Sequence, residues 1–305
     1  MHLDEGHLNV TDNLDFLARQ AVEGFLTGMH KSPYHGFSVE FAEHRLYNKG
    51  DSLKHIDWKL FARSDKMFVK KFEEETNLRS YIFIDTSSSM LYPRNQQIDK
   101  LTFSVYASAC LMYLFKKQRD GFGLSLFNEK IDFFAPAKNS ASHYNRLVSE
   151  LDRVLKKKNQ SVSKLTDFSS IISNLIDKIP KRSLIILFSD MMNFDKSNLS
   201  SVFDSIQNLK HNHHEVILFH IQDSETEIFF NFSNVPTNFI DLENNSEVKL
   251  NPLNYKEIYQ KKYSDFIKNI DEKCHQLSID YVPSFINKGF TNILSSYLIK
   301  RSKLF

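Results

Sequence analysis

Cysteine is almost absent from this chain. Only Cys110 and Cys274 occur among its 305 residues, too few for a disulfide framework or a cysteine-rich zinc cluster. Both lie in segments with a helix-like pattern, where a buried, reduced thiol is the expected state. The cysteine usage therefore favours a reducing compartment.

Glycine is also scarce, with eight residues in the chain. The phosphate-binding patterns G-x-x-x-x-G-K-[ST] and G-x-G-x-x-G do not occur, and neither does the G-x-S-x-G elbow of serine hydrolases. The sequence therefore gives no support for a nucleotide-binding loop or for a serine nucleophile of that type.

The chain has neither a strong charge of one sign nor a long apolar run. Lys and Arg total 39 against 37 Asp and Glu, so no overall field attracts nucleic acid or an anionic membrane. The most apolar helical stretch, residues 101–115, is shorter than the about 20 residues that span a bilayer. Asp4 and Glu5 stand where a secretory leader would be basic. We expect a cytoplasmic protein without a membrane span.

Strand-like and helix-like segments alternate from residue 79 onward. The runs LIILFSD (184–190) and EVILFHI (215–221) are almost continuously apolar, as in strands covered on both faces. This alternation predicts a doubly wound, mostly parallel α/β sheet. We divide the chain into an N-terminal helical segment (1–35), a charged and aromatic subdomain (36–78) and an α/β domain (79–305) with a β-hairpin elaboration near 224–250.

A buried strand ends abruptly in polar residues at RSYIFIDTSSSM, residues 79–90. Asp85 is followed by Ser87 and Ser89, and an extended backbone would aim these alternate side chains the same way. Ligands of open parallel sheets bind at the carboxyl ends of the strands. One carboxylate with two neutral hydroxyls suits a hard cation such as Mg²⁺, or Mn²⁺ or Ca²⁺ in its place, better than zinc or copper.

A second strand repeats this design, since LIILFSD ends in Ser189 and Asp190. Between the two strands, Thr166 precedes a helix and is a further candidate ligand. Together, Asp85, Ser87, Ser89, Thr166 and Asp190 form the predicted metal site. Such hydroxyl-rich ligation leaves the cation electrophilic, so that it would accept a carboxylate from a partner protein. The alternative is that these side chains only cap helices and form turns.

The stretch Asp85-Thr86-Ser87-Ser88-Ser89 resembles the D-x-S-x-S signature of von Willebrand factor A-type domains. Those domains carry a metal-ion-dependent adhesion site that is completed by a later Thr and a later Asp. The resemblance implies that Thr166 and Asp190 fill those two roles here.

Residues 36–90, beginning GFSVEFAEHRLYNKGDSLKHIDWK, resemble the bacterial family catalogued as domain of unknown function 58. Members of that family are similar to von Willebrand A-type domains and are typically encoded beside MoxR-type AAA+ ATPases. The resemblance implies a metal-dependent adaptor that works with such an ATPase in protein assembly, folding or stress response.

The hallmark segment 40–75 mixes charges with aromatic side chains. Its conspicuous members are Glu43, Arg45, Asp51, Asp57, Trp58 and Arg63. Two interpretations stay open for them: a subdomain held together by ion pairs around a small apolar face, or a partner-binding surface.

These observations favour a non-enzymatic adaptor that binds a protein client through an acidic side chain. Two alternatives stand beside it. The same carboxylates and hydroxyls could serve a Mg²⁺-dependent phosphoester hydrolase, or the chain could be a metal-free scaffold.

Overall fold

The structure is a computed structural model that describes residues 14–30, 44–46, 63, 67–70, 78–94, 98–158, 168–192, 196–243 and 245–304. They fall into two compact units, one within Met1–Phe25 and Leu78–Phe305 and the other within Leu26–Asn77.

The smaller unit contains a short antiparallel ribbon. Its strands are β1 (His44–Leu46) and β2 (Phe68–Lys70), and Arg45 lies opposite Val69. Helix α1 (Leu14–His30) begins in the larger unit and ends in the smaller one.

A six-stranded sheet forms the centre of the larger unit, in the order β5-β4-β3-β6-β7-β10. Its strands are β3 (Arg79–Asp85), β4 (Gly121–Phe127), β5 (Ile131–Lys138), β6 (Leu184–Ser189), β7 (Glu215–Gln222) and β10 (Asp280–Phe285). All neighbours are parallel except β5, which runs antiparallel to β4 at the edge. The predicted doubly wound, mostly parallel sheet is confirmed.

Helices cover both faces of this sheet. They are α2 (Lys100–Lys117), α3 (Ala141–Lys157), α4 (Phe168–Ile176), α5 (Lys196–His211), α6 (Pro252–Gln276) and α7 (Thr291–Leu304). Tyr81 and Phe83 of β3 pack into the core formed with α4, α5 and α6. The alternating Ile82 and Ile84 are also fully buried, on the face where α2 lies against β3 and β4. Burial on both faces explains why β3 is a continuous apolar run.

The segment after β7 departs from the strand and helix alternation. A π-helical turn at Ser224–Ile228 precedes strands β8 (Thr237–Ile240) and β9 (Glu247–Leu250), which pair antiparallel apart from the main sheet. Cys110 and Cys274 are both buried free thiols, as predicted. Within the described ranges, no helix combines the length and the apolar character needed to cross a lipid bilayer.

The connections of the sheet reverse direction between β3 and β6. From β3 the chain proceeds through α2 to β4 on one side, and it later returns to β6 on the other side. A crevice therefore opens at the carboxyl ends of β3 and β6, where this class of sheet binds its ligands.

Candidate metal centre

The ends of β3 and β6 bring two carboxylates to this crevice. Ile84 lies in register with Phe188, so Asp85 and the pair Ser189 and Asp190 leave the sheet at the same level. Both Asp85 and Asp190 are 1% exposed. Ser189 Oγ donates a hydrogen bond to Asp85 Oδ2 over 2.8 Å and so joins the two strands.

The hydroxyls of Ser87 and Ser89 complete this acid and hydroxyl cluster. The Ser87 backbone N–H donates to Asp85 Oδ1 over 2.9 Å, and the two serine oxygens are 3.1 Å apart. Ser89 Oγ donates to Asp190 Oδ1 over 3.3 Å. The loop is not extended throughout, because a 3₁₀ turn begins at Ser88. Ser87 and Ser89 nevertheless converge, since that turn folds Ser89 back toward Ser87.

A lysine lies against the same cluster. Lys100, the first residue of α2, is 1% exposed and its ammonium contacts Asp190 Oδ2 at 2.5 Å and Glu227 Oε1 at 2.7 Å. Glu227 is also buried, and it belongs to the π-helical turn after β7. Three elements are therefore held together by one buried ammonium and two carboxylates.

Burial and charge shift the pKa values of this cluster. Burial, with the nearby Asp190 charge, raises the pKa of the Asp85 carboxyl to about 6. Burial opposes the charge of Lys100, but Asp190 and Glu227 outweigh it and raise the pKa of its ammonium. Burial raises the pKa of Glu227 despite the attraction of Lys100. Lys100 is therefore charged at neutral pH, and Asp85 is costly to ionise.

His220 fixes the backbone at Asp190. Its Nε2 lies 2.9 Å from the Asp190 carbonyl oxygen, and its Nδ1 lies 2.8 Å from the Tyr281 hydroxyl. A carbonyl oxygen only accepts, so Nε2 carries the hydrogen and Nδ1 accepts from Tyr281. Burial lowers the pKa of His220 to about 4, which keeps the ring neutral in this arrangement.

Four of the five predicted ligands lie together in this cluster: Asp85, Ser87, Ser89 and Asp190. The fifth, Thr166, lies outside the described residues, as do Glu43, Asp51, Asp57 and Trp58. Of the remaining two, Arg45 is in β1 and Arg63 is exposed.

Lys100, Glu227 and the role of Ser189 were not predicted. One feature of the sequence could have indicated the role of Lys100. A cation in the first turn of a helix opposes the helix dipole, so such a lysine needs a compensating partner. Glu227 carries no comparable signal, since it lies 127 residues from Lys100 in sequence.

The spacing of the two serines fits a small hard cation. Cis ligands of an octahedral Mg²⁺ at about 2.1 Å lie about 3 Å from each other, close to the 3.1 Å that separates the Ser87 and Ser89 hydroxyls. In the described part of the chain, no three His, Cys, Asp or Glu side chains are grouped as metal ligands. Any cation here would therefore depend on the serine hydroxyls together with Asp85 and Asp190.

Fold and site together define a doubly wound α/β protein with an acid and hydroxyl cluster at the switch point of its sheet. Residues 43–265 match the family described as "Protein of unknown function DUF58". The match covers well over half of the chain, and the protein belongs to this family, as its sequence predicts.

Two mycobacterial proteins match part of the chain. An uncharacterized protein of Mycobacterium tuberculosis (strain ATCC 25618 / H37Rv) is 24% identical over 135 residues, which are 44% of this chain and 42% of that protein. A Mycobacterium bovis protein matches to the same extent. The match thus spans less than half the length of these relatives.

Solved structures resemble the chain at low sequence identity. The conserved hypothetical protein BatB from Bacteroides thetaiotaomicron is 11% identical with a TM-score of 0.43, over 74% of this chain and 99% of that one. The SpRpn10 VWA domain is 14% identical with a TM-score of 0.31, over 48% of this chain and 76% of that one.

Proposed function

We propose that this protein is a non-enzymatic, divalent-cation-dependent adaptor of the cytoplasm that binds other proteins. In this proposal Asp85, Ser87, Ser89 and Asp190, with Thr166, hold Mg²⁺, or Mn²⁺ or Ca²⁺ in its place. The cation would bind an acidic side chain of a protein client. The adaptor would act with a MoxR-type AAA+ ATPase in protein assembly, folding or stress response.

The convergence of the two serine hydroxyls with two buried carboxylates carries this proposal. Ser87 and Ser89 lie within hydrogen-bonding distance of each other, and Ser89 reaches Asp190 on the neighbouring strand. Oxygen atoms that follow two separate strands thus lie close together at the switch point of the sheet. Oxygen ligands with few charges are what Mg²⁺ and Ca²⁺ bind in proteins.

The charge of the cluster supports a divalent ion. Asp85, Asp190 and Glu227 are three buried carboxylates, and the ammonium of Lys100 pairs with two of them, Asp190 and Glu227. When all are ionised, two negative charges are left uncompensated within this cluster. Buried charge without a counterion is costly, and one divalent cation would neutralise it.

Binding of Mn²⁺ tests the site directly, by electron paramagnetic resonance of the free ion and by calorimetry. We expect Ser87→Ala to weaken binding about tenfold or more, in the range found when a metal site loses an ordering group. Ser125→Ala is the matched control. Ser125 is a fully buried serine of β4 whose hydroxyl has no hydrogen-bond partner in the described structure, so binding should not change. Equal binding by both variants would refute the site.

The ATPase partner is proposed from the family resemblance. Pull-down of a MoxR-type ATPase from the same source, with Mg²⁺ and then with EDTA, tests it. We expect capture by the wild type in Mg²⁺ and none by Asp85→Ala. Turnover of p-nitrophenyl phosphate by the wild type but not by Asp85→Ala would instead indicate a hydrolase.

A metal-free scaffold is the second candidate, and Lys100 is the observation that favours it. Its ammonium already contacts Asp190, and Asp85 accepts hydrogen bonds from Ser87 and Ser189. In that case the lysine would supply the positive charge, and EDTA would leave partner capture unchanged.

A further inference from the structure

A cavity of about 470 Å³ adjoins the acid and hydroxyl cluster. Ser89 and Lys100 belong to both, and the opposite wall comes from the segment after β7 and from α6. Its size and mixed lining are typical of ligand-binding sites in proteins.

The cavity is the approach to the candidate cation site. Asp85, Ser87 and Asp190 are fully buried, whereas Ser89 is only partly buried and lines the cavity. A ligand group that approaches the cluster from this side passes Ser89. The atoms next to that group would then lie inside the cavity.

The far wall of the cavity is aromatic. Phe230 is the centre of this wall: its ring centroid is 4.4 Å from Tyr259, 4.9 Å from Phe232 and 6.0 Å from Phe239. Phe232 and Phe239 meet edge to face at 5.1 Å. Packed rings of this kind form a rigid apolar surface, which favours an apolar or aromatic side chain of a ligand.

The stretch of chain that supplies the aromatic wall also carries most of the exposed apolar side chains of the described residues. Of the ten large apolar side chains that are exposed in the described residues, seven lie between Phe229 and Ile258, the stretch that supplies the aromatic wall. Concentrations of exposed apolar side chains mark protein interaction sites. A ligand that extends beyond the cavity onto such a surface is a polypeptide segment.

Acidic side chains determine which part of that segment enters the cavity. Asp241 and Glu243 line it, so a second carboxylate would be repelled from the aromatic wall. Lys100 lines it too, but its ammonium is already paired with two carboxylates. An acidic side chain is therefore favoured at the Ser89 end, where a bound cation would attract it.

We propose that the cavity is a specificity pocket for a large apolar side chain, phenylalanine or leucine, directly next to the acidic residue of the partner. The inference rests on the proposed function, because the carboxylate is held by the cation. The recognised element is thus an acidic residue followed or preceded by a large apolar one. The acid provides the dependence on metal, and the apolar residue provides the choice of partner.

Short peptides test whether both the acidic residue and its apolar neighbour are recognised. The probes are acetyl-Gly-Asp-Phe-Gly-amide, the same peptide with Ala for Phe, and the same peptide with Asn for Asp. Each peptide is titrated into the full chain with 10 mM Mg²⁺, and NMR follows its binding. We expect the Asp-Phe peptide to bind about tenfold more tightly than the Asp-Ala peptide, the effect of burying one large apolar side chain. The Asn-Phe peptide should lose the dependence on Mg²⁺.

A variant that fills the cavity, compared with the same substitution elsewhere, tests whether the cavity binds the apolar side chain. Leu242→Trp places a large ring at the cavity wall, whereas Ile299→Trp adds the same ring at a half-exposed position of α7, outside this wall and outside the stretch 229–258. We expect Leu242→Trp to reduce the preference for Asp-Phe over Asp-Ala to about twofold or less, with Mn²⁺ affinity unchanged. Ile299→Trp should retain the preference.

The outcomes separate this inference from the proposed function. Equal, Mg²⁺-dependent affinities for Asp-Phe and Asp-Ala would overturn the specificity pocket and leave the cation-dependent adaptor intact. Binding that ignores EDTA would overturn both. Stronger binding of acetyl-Gly-Lys-Phe-Gly-amide than of the Asp-Phe peptide would mean that the acidic lining selects a basic partner, which also contradicts the pocket as proposed.

Discussion

Lys100 lies in an environment that is unusual for a lysine. Its side chain is fully buried, and it forms ion pairs with both Asp190 and Glu227. Burying an ammonium is tolerated only when such partners are present. The lysine thus connects the start of α2 with the end of β6 and with the turn after β7.

Replacement of this lysine tests its contribution to stability. Lys100→Met keeps the approximate length of the side chain but leaves two buried carboxylates without a cation. We expect a loss of about 3–5 kcal/mol in the free energy of unfolding, the cost of breaking a buried pair from one side. Urea denaturation at pH 7 measures it.

Lys268→Met is the control for that measurement. Lys268 is exposed on α6 and its contact with Glu272 is 3.8 Å long, so the change should stay within about 0.5 kcal/mol. A comparable loss in both variants would mean that the buried ion pairs contribute nothing specific.

At the level of single residues, the sequence was sufficient to predict which acidic residues follow strands and lie together. Asp85 and Asp190 each end an apolar run, and parallel strands place such ends side by side. Lys100 and Glu227 were not predictable in this way. Each forms its contact through tertiary packing between segments that are far apart in the chain, and no local pattern records that packing.

The elements of the sheet were predictable for a related reason. The strands β6 and β7 are continuous apolar runs, because helices cover both of their faces. The three residues between β4 and β5 can only form a hairpin, which explains the antiparallel edge strand. The 3₁₀ turn at Ser88–Leu91 was not predicted, since a serine-rich loop is compatible with several turn conformations.

An ion-pair cluster attaches the last helix to the opposite end of the sheet. Lys300 of α7 lies 2.8 Å from Glu215 of β7 and 2.8 Å from Asp280 of β10. Burial opposes the charge of Glu215, but hydrogen bonds from Lys300 and Lys210 outweigh it and lower its pKa.

The contribution of this cluster to stability should depend on pH. A carboxyl whose pKa is lowered by folding stabilises the folded state above its unfolded pKa, and the contribution disappears as the pH falls through the folded value. Lys300→Met should therefore cost about 1 kcal/mol at pH 7, because the carboxylates are partly exposed. That difference should disappear toward about pH 3. Thermal unfolding at both pH values measures it, and a difference that is equal at both would contradict the ionic origin.

At the scale of the whole molecule, the order of the strands determines where the acid and hydroxyl cluster lies. Two halves of the sheet extend from β3 and β6 in opposite directions, so their helices diverge and leave a crevice at these carboxyl ends. The alternation of strands and helices predicts this topology, and hence the position of the site. It does not predict the aromatic cavity, because that wall comes from the segment between β7 and α6, which departs from the alternation.

Two effects on the stability of the fold can be separated: the binding of the proposed cation, and the negative charge of the Asp85 carboxylate that would bind it. Asp85→Asn retains an oxygen that accepts from the Ser87 N–H and removes a buried charge near Asp190. Without metal, we expect the variant to be as stable as the wild type or more stable, because the repulsion is gone. With 10 mM Mg²⁺, a ligand that binds only the folded state raises its stability, by about 2.7 kcal/mol at one hundred times Kd.

We therefore expect Mg²⁺ to raise the Tm of the wild type and to leave that of Asp85→Asn unchanged. Asp204→Asn, at an exposed carboxylate of α5, should respond to Mg²⁺ as the wild type does. A Tm that rises equally in all three proteins would reflect a general salt effect. Relative to the wild type, Asp85→Asn should therefore be at least as stable without Mg²⁺ and less stable with it. Both differences have one cause: the cluster carries more negative charge than Lys100 neutralises, and this excess is unfavourable until a cation binds.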